Sequence, residues 1–177
     1  VIPMSDIPDD DIRHLFEPRS IAVIGASRER GKIGSAVLGN IVSGGYAGRI
    51  LPVNPAGGDI EGLRVYPRVA DIEGEVDLAI LTIPARFVFD AVCQCADRGV
   101  KYGIIITSEF SEIGNREEEN RIIAYAKGRG MRIVGPNVFG IYSSAVNLNA
   151  TFVAGNIAPG HLAMITQSGA LGLTMIG

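Results

Sequence analysis

The stretch Ile21-Ala22-Val23-Ile24-Gly25-Ala26-Ser27-Arg28-Glu29-Arg30-Gly31-Lys32-Ile33-Gly34 decides the fold. Four apolar residues run into a glycine, and a glycine-rich turn follows. Ile33, Ala36, Val37 and Ile41 then recur at helical spacing until Gly44-Gly45 closes the pattern. The reading is a buried strand, a tight turn and a helix.

The unit repeats along the chain. Ile50–Val53 predicts a second buried strand. Leu78–Ile83 predicts a third, followed by a helix with Phe87, Ala91 and Cys95 on one face and Gly99 at its end. Ile104–Thr107 predicts a fourth. The next helix starts near Asn115, carries Glu117, Glu118 and Glu119 in its first turn, buries Ile122, Ile123 and Ala126, and ends with Lys127, Arg129 and Gly130. Acidic residues at the start and basic ones at the end complement the helix dipole. Arg132–Val134 predicts a fifth strand. Continuous apolar strands alternating with helices indicate an α/β fold, a Rossmann-like parallel sheet with helices on both faces. Its ligand is expected outside the carboxyl ends of the strands.

At the ends of the chain the pattern differs. Residues 1–8 read as a loose arm. Asp9, Asp10 and Asp11 lead into Ile12, Leu15 and Phe16, a short helix stopped before Pro18. Val146–Phe152 alternates weakly, as in a short hairpin or a linker. Leu162–Thr166 reads as a new strand turning through Gln167-Ser168-Gly169 into a helical start, Ala170–Ile176. The expected organisation is a first domain over 1–150, with 1–17 its leading arm and helix, and the start of a second α/β domain over 151–177. From Ile133 to Gly177 there is no Asp, Glu, Lys or Arg. A solvated surface is about a quarter to a third charged, so this stretch is expected to face further protein in a longer, oligomeric polypeptide.

Composition narrows the partners. Of 177 residues, 47% are hydrophobic and 20% charged, which suits a packed core and excludes a disordered chain. The net charge of −3 offers no basic field for nucleic acid. Apolar runs such as Leu78–Ile83 fall far short of the ~18 residues of a membrane span. Two cysteines, Cys93 and Cys95, are too few for a disulfide scaffold and fit a reducing cytoplasm. Their C-x-C spacing on a helix points them to different faces, so they read as small apolar side chains, and no metal site is expected. Asn149-Ala150-Thr151 matches a glycosylation sequon, read as chance in a cytosolic chain.

The glycine turn limits the ligand. A phosphate loop of the NTPase type needs four residues between its glycines, then Lys and Ser or Thr. Here five residues separate Gly25 from Gly31, and Ile33 follows Lys32. A dinucleotide fingerprint also needs an acidic residue ending the second strand, to hold ribose hydroxyls. That strand ends in Asn54-Pro55, which argues against NAD. What remains is a turn at a helix N-terminus bearing Ser27, Arg28, Arg30 and Lys32. Backbone N–H groups, the helix dipole and these cations suit a phosphate-rich nucleotide. The alternative is a glycine turn needed only for close strand–helix packing. The other strand ends, Ile83-Pro84-Ala85-Arg86-Phe87, Thr107-Ser108-Glu109-Phe110 and Gly135-Pro136-Asn137, converge on the same rim, although each alone is ordinary turn chemistry.

Taken together, Leu15 to Ser27, Asn54-Pro55, Ile83 to Phe87, Ser108-Glu109, Gly135 to Asn137 and Ser168-Gly169-Ala170 resemble the N-terminal CoA-binding region of NDP-forming acyl-CoA synthetases. That family includes ADP-forming acetate–CoA ligase and is similar to the succinyl-CoA synthetase α subunit. Each motif is weak alone; their order and spacing are specific. The resemblance implies that the turn Gly25, Ser27, Arg28, Lys32, Ile33 and Gly34 holds the phosphates of coenzyme A. It implies that Asn54, Pro55, Ile83, Pro84, Ala85, Phe87, Ser108 and Glu109 line the nucleotide and pantetheine path, with Asn137 near the thiol. It also implies a flavodoxin-like second domain, in which Ser168, Gly169 and Ala170 set a helix N-terminus against a phosphorylated histidine.

The resemblance further implies the reaction of a small carboxylic acid, CoA and ATP to acyl-CoA, ADP and phosphate through that phosphohistidine. Neither His14 nor His161 matches the carrier position. The carrier, the ATP-grasp module or β-type subunit, and the ATP/ADP and Mg it uses are therefore expected outside this chain. Two positions depart from the family pattern. Ala56-Gly57-Gly58 follows Pro55 where relatives of the succinyl enzyme carry lysine, and Val138 follows Asn137 where cysteine is usual. Two other functions fit the same residues: a CoA- or nucleotide-sensing regulatory domain of an acetyltransferase-fused homologue, and a stand-alone nucleotide-binding Rossmann protein.

Overall fold

The computed structural model describes residues 12–155 and 157–176. The arm 1–8 and the acidic helix start Asp9–Asp11 lie outside the described residues. In chain order the elements are α1 (Arg13–Phe16), β1 (Ser20–Ile24), α2 (Ile33–Ser43), β2 (Arg49–Val53) and the two-residue strands β3 (Asp59–Ile60) and β4 (Leu63–Arg64). There follow β5 (Leu78–Leu81), α3 (Val88–Asp97), β6 (Tyr102–Ile105), α4 (Arg116–Gly128) and β7 (Arg132–Val134). The last elements are β8 (Gly140–Ser143), β9 (Leu148–Thr151) and α5 (Gly169–Ile176).

Five strands form one parallel sheet in the order β2-β1-β5-β6-β7. The wind reverses between β1 and β5, and the crevice of a doubly wound sheet opens at such a reversal. β1 is buried along its whole length because it is central and covered on both faces. Its residues alternate between the faces. Ala22 and Ile24 pack with Val88, Val92, Cys95, Ile122 and Ala126 of α3 and α4. Ile21 and Val23 pack with Val37, Leu38 and Ile41 of α2 and with Leu148 and Ala150 of the antiparallel β8–β9 hairpin.

The expected helices and strands form, with local differences. Ile123, expected in the core, is 38% exposed, because only one face of α4 meets α3. Phe87 precedes α3, in a single 3-10 turn after Pro84, and is 50% exposed; Ala91 and Cys95 are buried as expected. The predicted strand Leu162–Thr166 does not form. A strand needs a neighbour to satisfy its backbone, none of the described strands pairs with it, and Leu162 and Ile165 are each 98% exposed. The β3–β4 pair has no sequence forecast, being only two residues per strand.

At the amino ends of the strands, Asp77 joins α1 to the sheet. It accepts from the Arg19 N–H at 2.7 Å and meets His14 Nδ1 at 3.0 Å. The Tyr46 hydroxyl donates to the Pro18 carbonyl at 2.7 Å, and burial followed by the nearby Asp77 charge pushes its phenol above its ordinary range. Among the described residues, no helix is long and apolar enough to cross a membrane.

Candidate functional site

A cleft of about 1360 Å³ opens at the carboxyl ends of the strands, across the reversal between β1 and β5. Its floor is built from two glycines. Gly25 leaves β1 at φ +93°, and an added Cβ would sit 2.8 Å from both Thr82 Oγ1 and Ile83 Cγ2. Gly34, in the first turn of α2, lies so close that a Cβ there would overlap the Gly25 carbonyl oxygen. A side chain at either position would push helix and sheet apart. The helix N-terminus is thereby drawn onto the switch point. Lys32 is its N-cap residue, and no side chain caps it, so its first N–H groups face the cleft end of the dipole.

Polar side chains lace the strand ends together. Asn54, at the tip of β2, donates to the Ala26 carbonyl at 2.8 Å and accepts from the Ala56 N–H at 2.9 Å. Thr82 Oγ1 donates to the Ile24 carbonyl at 2.9 Å, and Thr107 Oγ1 donates to the Ile83 carbonyl at 2.7 Å. The Thr107 carbonyl accepts from the Asn137 N–H at 2.9 Å. Glu109 and Asn137 hold the rim at φ +80° and +55°, conformations that non-glycine residues adopt at a cost.

The cleft brings together Gly25, Ser27, Lys32, Ile33 and Gly34 of the first turn, Asn54 and Pro55 of the second, and Ile83, Pro84, Ala85 and Phe87 of the third. Ser108, Glu109, Asn137 and Gly169 line it as well. Three expected residues stand outside this lining. Arg28 turns away to donate to the Asp59 carbonyl at 2.8 Å and the Gly57 carbonyl at 3.2 Å, satisfying the loop after Asn54-Pro55. Ser168 and Ala170 flank Gly169 without lining the cleft. The Ser168 hydroxyl instead accepts from the Leu171 N–H at 3.3 Å, capping α5.

Arg86 lines the cleft with the rest of its rim segment, while sequence reasoning missed other lining groups: Arg68, Asp90, Gln94, Phe139, Phe152 and Gln167. Most lie in loops or on helix faces whose orientation periodicity alone leaves open. The cationic groups are Lys32, Arg68 and Arg86, and two of them already have neighbours. Lys32 Nζ lies 3.7 Å from Glu29, and Arg68 donates to Asp71 at 2.8 Å, which holds that carboxyl below its ordinary range. Arg86 lies over the Phe87 ring, 4.6 Å from its centroid. Among the described residues, no group of three His, Cys, Asp or Glu is placed to hold a metal ion.

A doubly wound sheet with an uncapped helix start drawn onto its switch point defines a nucleotide-binding domain of Rossmann type. Residues 19–144 match the CoA binding domain family, and the chain belongs to it. It is 46% identical over 169 residues to the α subunit of ADP-forming acetate–CoA ligase I of Pyrococcus furiosus, covering 92% of this chain and 37% of that protein. It is 40% identical over 163 residues to the ADP-forming acetate–CoA ligase of Methanocaldococcus jannaschii, covering 92% and 23%. Among solved structures it resembles the dinucleotide-forming acetyl-coenzyme A synthetase 1 of Ca. Korarchaeum cryptofilum, in complex with phosphate and ADP. That likeness has a TM-score of 0.90 at 41% identity, over 93% of this chain and 36% of the other. The chain thus spans well under half the length of these relatives.

Proposed function

We propose that this chain is the CoA-binding portion of an NDP-forming acyl-CoA synthetase, binding coenzyme A in the cleft at the β1–β5 switch point. The observation that carries the reading is the Gly25–Gly34 contact, which sets an uncapped helix start and Lys32 at the mouth of a cleft larger than most ligand pockets of about 300–1,000 Å³. The donors there suit the pyrophosphate and 3′-phosphate of CoA. The long lining from Asn54 past Pro84 to Asn137 suits its extended pantetheine arm. The ligase relatives support this reading over a regulatory sensor or a stand-alone NAD protein. So does Asn54, whose side chain is spent on the turn where a ribose-binding acid would stand.

In this reading residues 1–150 are the CoA-binding domain and 151–177 open a succinyl-CoA-ligase-like flavodoxin domain. Ser168, Gly169 and Ala170 start the helix that faces the phosphorylated histidine. The carrier histidine is neither of the two here. His14 is engaged by Asp77 at the opposite, amino end of the strands, and His161 is exposed in the segment before α5. Phosphoryl transfer, with ATP, ADP and Mg, and condensation with a small carboxylic acid would then belong to further domains or an ATP-grasp subunit of an oligomeric, cytoplasmic enzyme. What this chain's residues do is bind coenzyme A, orient its thiol toward Asn137 and hold the phosphates at the α2 start.

Isothermal titration of the chain with CoA, 3′-dephospho-CoA and NAD tests the reading. Micromolar binding of CoA with weaker dephospho-CoA is expected. Micromolar NAD with no response to CoA would overturn it.

A further inference from the structure

The lining of the cleft is mixed in charge. Lys32, Arg68 and Arg86 are cationic, while Asp90 and Glu109 bring two carboxylates to the same space. The two acids stand apart in the fold: Glu109 follows β6, and Asp90 lies in the first turn of α3. A carboxylate repels phosphate oxygens and offers no proton. Any part of an anionic ligand that meets Asp90 must therefore be a hydrogen-bond donor.

The wall that carries Asp90 is fixed in place. Ala91, the next residue, is packed in one buried cluster with Val53 at the end of β2 and Val69 of the 3-10 turn Val69–Asp71. Arg98, just past α3, ties that turn to the helix. Its guanidinium donates to the Ala70 and Gly74 carbonyls at 3.1 and 2.9 Å, and to the Ile72 carbonyl as well. Val53, Val69 and Ala91 thus floor the end of the cleft nearest β2. Arg68, which also lines the cleft, is turned to Asp71 in a two-point pair at 2.8 and 3.2 Å and leaves Asp90 without a cation. Asp90 and Gln94 are four residues apart, so they share a face of α3, and both line the cleft. Both are exposed at its rim, and among the described residues neither side chain has a hydrogen-bond partner.

We propose that Asp90 and Gln94 read the edge of the adenine of CoA, so that the cleft selects a 6-aminopurine. The proposal rests on the CoA reading above. That reading puts the phosphates at the α2 start beside β1 and the thiol by Asn137 after β7, and the sheet order β2-β1-β5-β6-β7 then leaves the β2 end to the nucleoside. The apolar floor takes the face of the base. The Asp90 carboxylate accepts from the 6-amino group, and the Gln94 amide donates to the neighbouring ring nitrogen N7, as glutamine pairs with adenine in nucleic acids. Hypoxanthine carries an oxygen in place of the amino group, so that oxygen would face the carboxylate with no proton between them.

The test titrates the chain with CoA and with its hypoxanthine analogue, and repeats both on Asp90→Asn and Gln94→Ala. CoA is expected to bind about 5- to 10-fold more tightly than the analogue, the low end of what a read base edge is worth, because the rim is open to water. Asp90→Asn, whose amide can donate to the oxygen, should bring this ratio toward one. Gln94→Ala should weaken both ligands alike, by about 2- to 10-fold, because N7 is common to both. A ratio near one in the unchanged chain with CoA bound, a ratio kept in Asp90→Asn, or undiminished affinities in Gln94→Ala overturns the proposal. Failure of CoA itself to bind overturns the underlying reading, and this one with it.

Discussion

The Asn54 side-chain amide donates to the Ala26 carbonyl across 2.8 Å, so the tip of β2 holds the turn that leaves β1. The position that reads a ribose in NAD-binding relatives of this fold is here a brace. Asn54→Ala should cost about 1–3 kcal/mol of stability, as a part-buried carbonyl loses its donor, and it should weaken CoA through the loosened turn. Asn54→Asp should be no better, since a carboxylate brings no N–H and faces a carbonyl oxygen. Urea unfolding of both variants checks the first point. NAD titration of Asn54→Asp checks that the acid alone does not create a dinucleotide site.

Gly34 has no room for any side chain. Gly34→Ala should destabilise by about 1–3 kcal/mol or more, the scale of overpacking, because the atom it meets is backbone rather than a movable side chain. Gly31, with nothing near its missing Cβ, differs: only its φ of +91° resists replacement. Chemical denaturation of Gly34→Ala against Gly31→Ala separates the two causes.

Lys32 and Glu29 form an exposed ion pair at 3.7 Å, so Glu29 competes with a bound phosphate for the ammonium. Lys32→Ala should weaken CoA by about 1–3 kcal/mol, the loss of a charge-assisted bond, and flatten the salt dependence of binding. Glu29→Gln should act in the opposite direction, by at most about 1 kcal/mol because both groups are exposed. Arg28→Ala should act mainly on the 57–59 loop. Limited proteolysis there should rise while the salt dependence of CoA binding stays near that of the unchanged chain.

Burial pushes the Cys95 thiol from 9.0 up to about 12, with Arg98 opposing slightly. Between these values the folded chain keeps a proton that the unfolded chain has lost. Stability therefore falls as pH rises from about 9 toward 12, and this contribution is intact below pH 9. Cys95→Ala should show a shallower decline over that window in denaturation series. In the native chain at pH 8, Ellman's reagent should leave Cys95 unlabelled until denaturant is added.

Much of the sheet was legible because its strands are continuous apolar runs. Ile21–Ile24, Ile50–Val53 and Arg132–Val134 stand where the pattern puts them. α4 was legible at both ends from its charges, Glu117–Glu119 and Lys127. The glycine turn was visible, but its purpose was not. Only the folded chain reveals that Gly34 abuts Gly25 and that Arg28 is occupied by carbonyls. Phe139 and Phe152 escaped notice because they are thirteen positions apart and only the hairpin register joins them. The strand expected at Leu162–Thr166 failed because apolarity marks a segment that wants cover without supplying a neighbour to pair with.

Helix α2 has one further consequence. Its first turn lies against Gly25 at the cleft, and one of its later residues, Asn40, grips the hairpin backbone that carries Phe152. A single rigid rod thus spans from the anion-facing turn to that hairpin. The length of α2 therefore sets the spacing between the Gly25 turn and the hairpin backbone beside Phe152, as the jaws of a locked calliper are set by its beam.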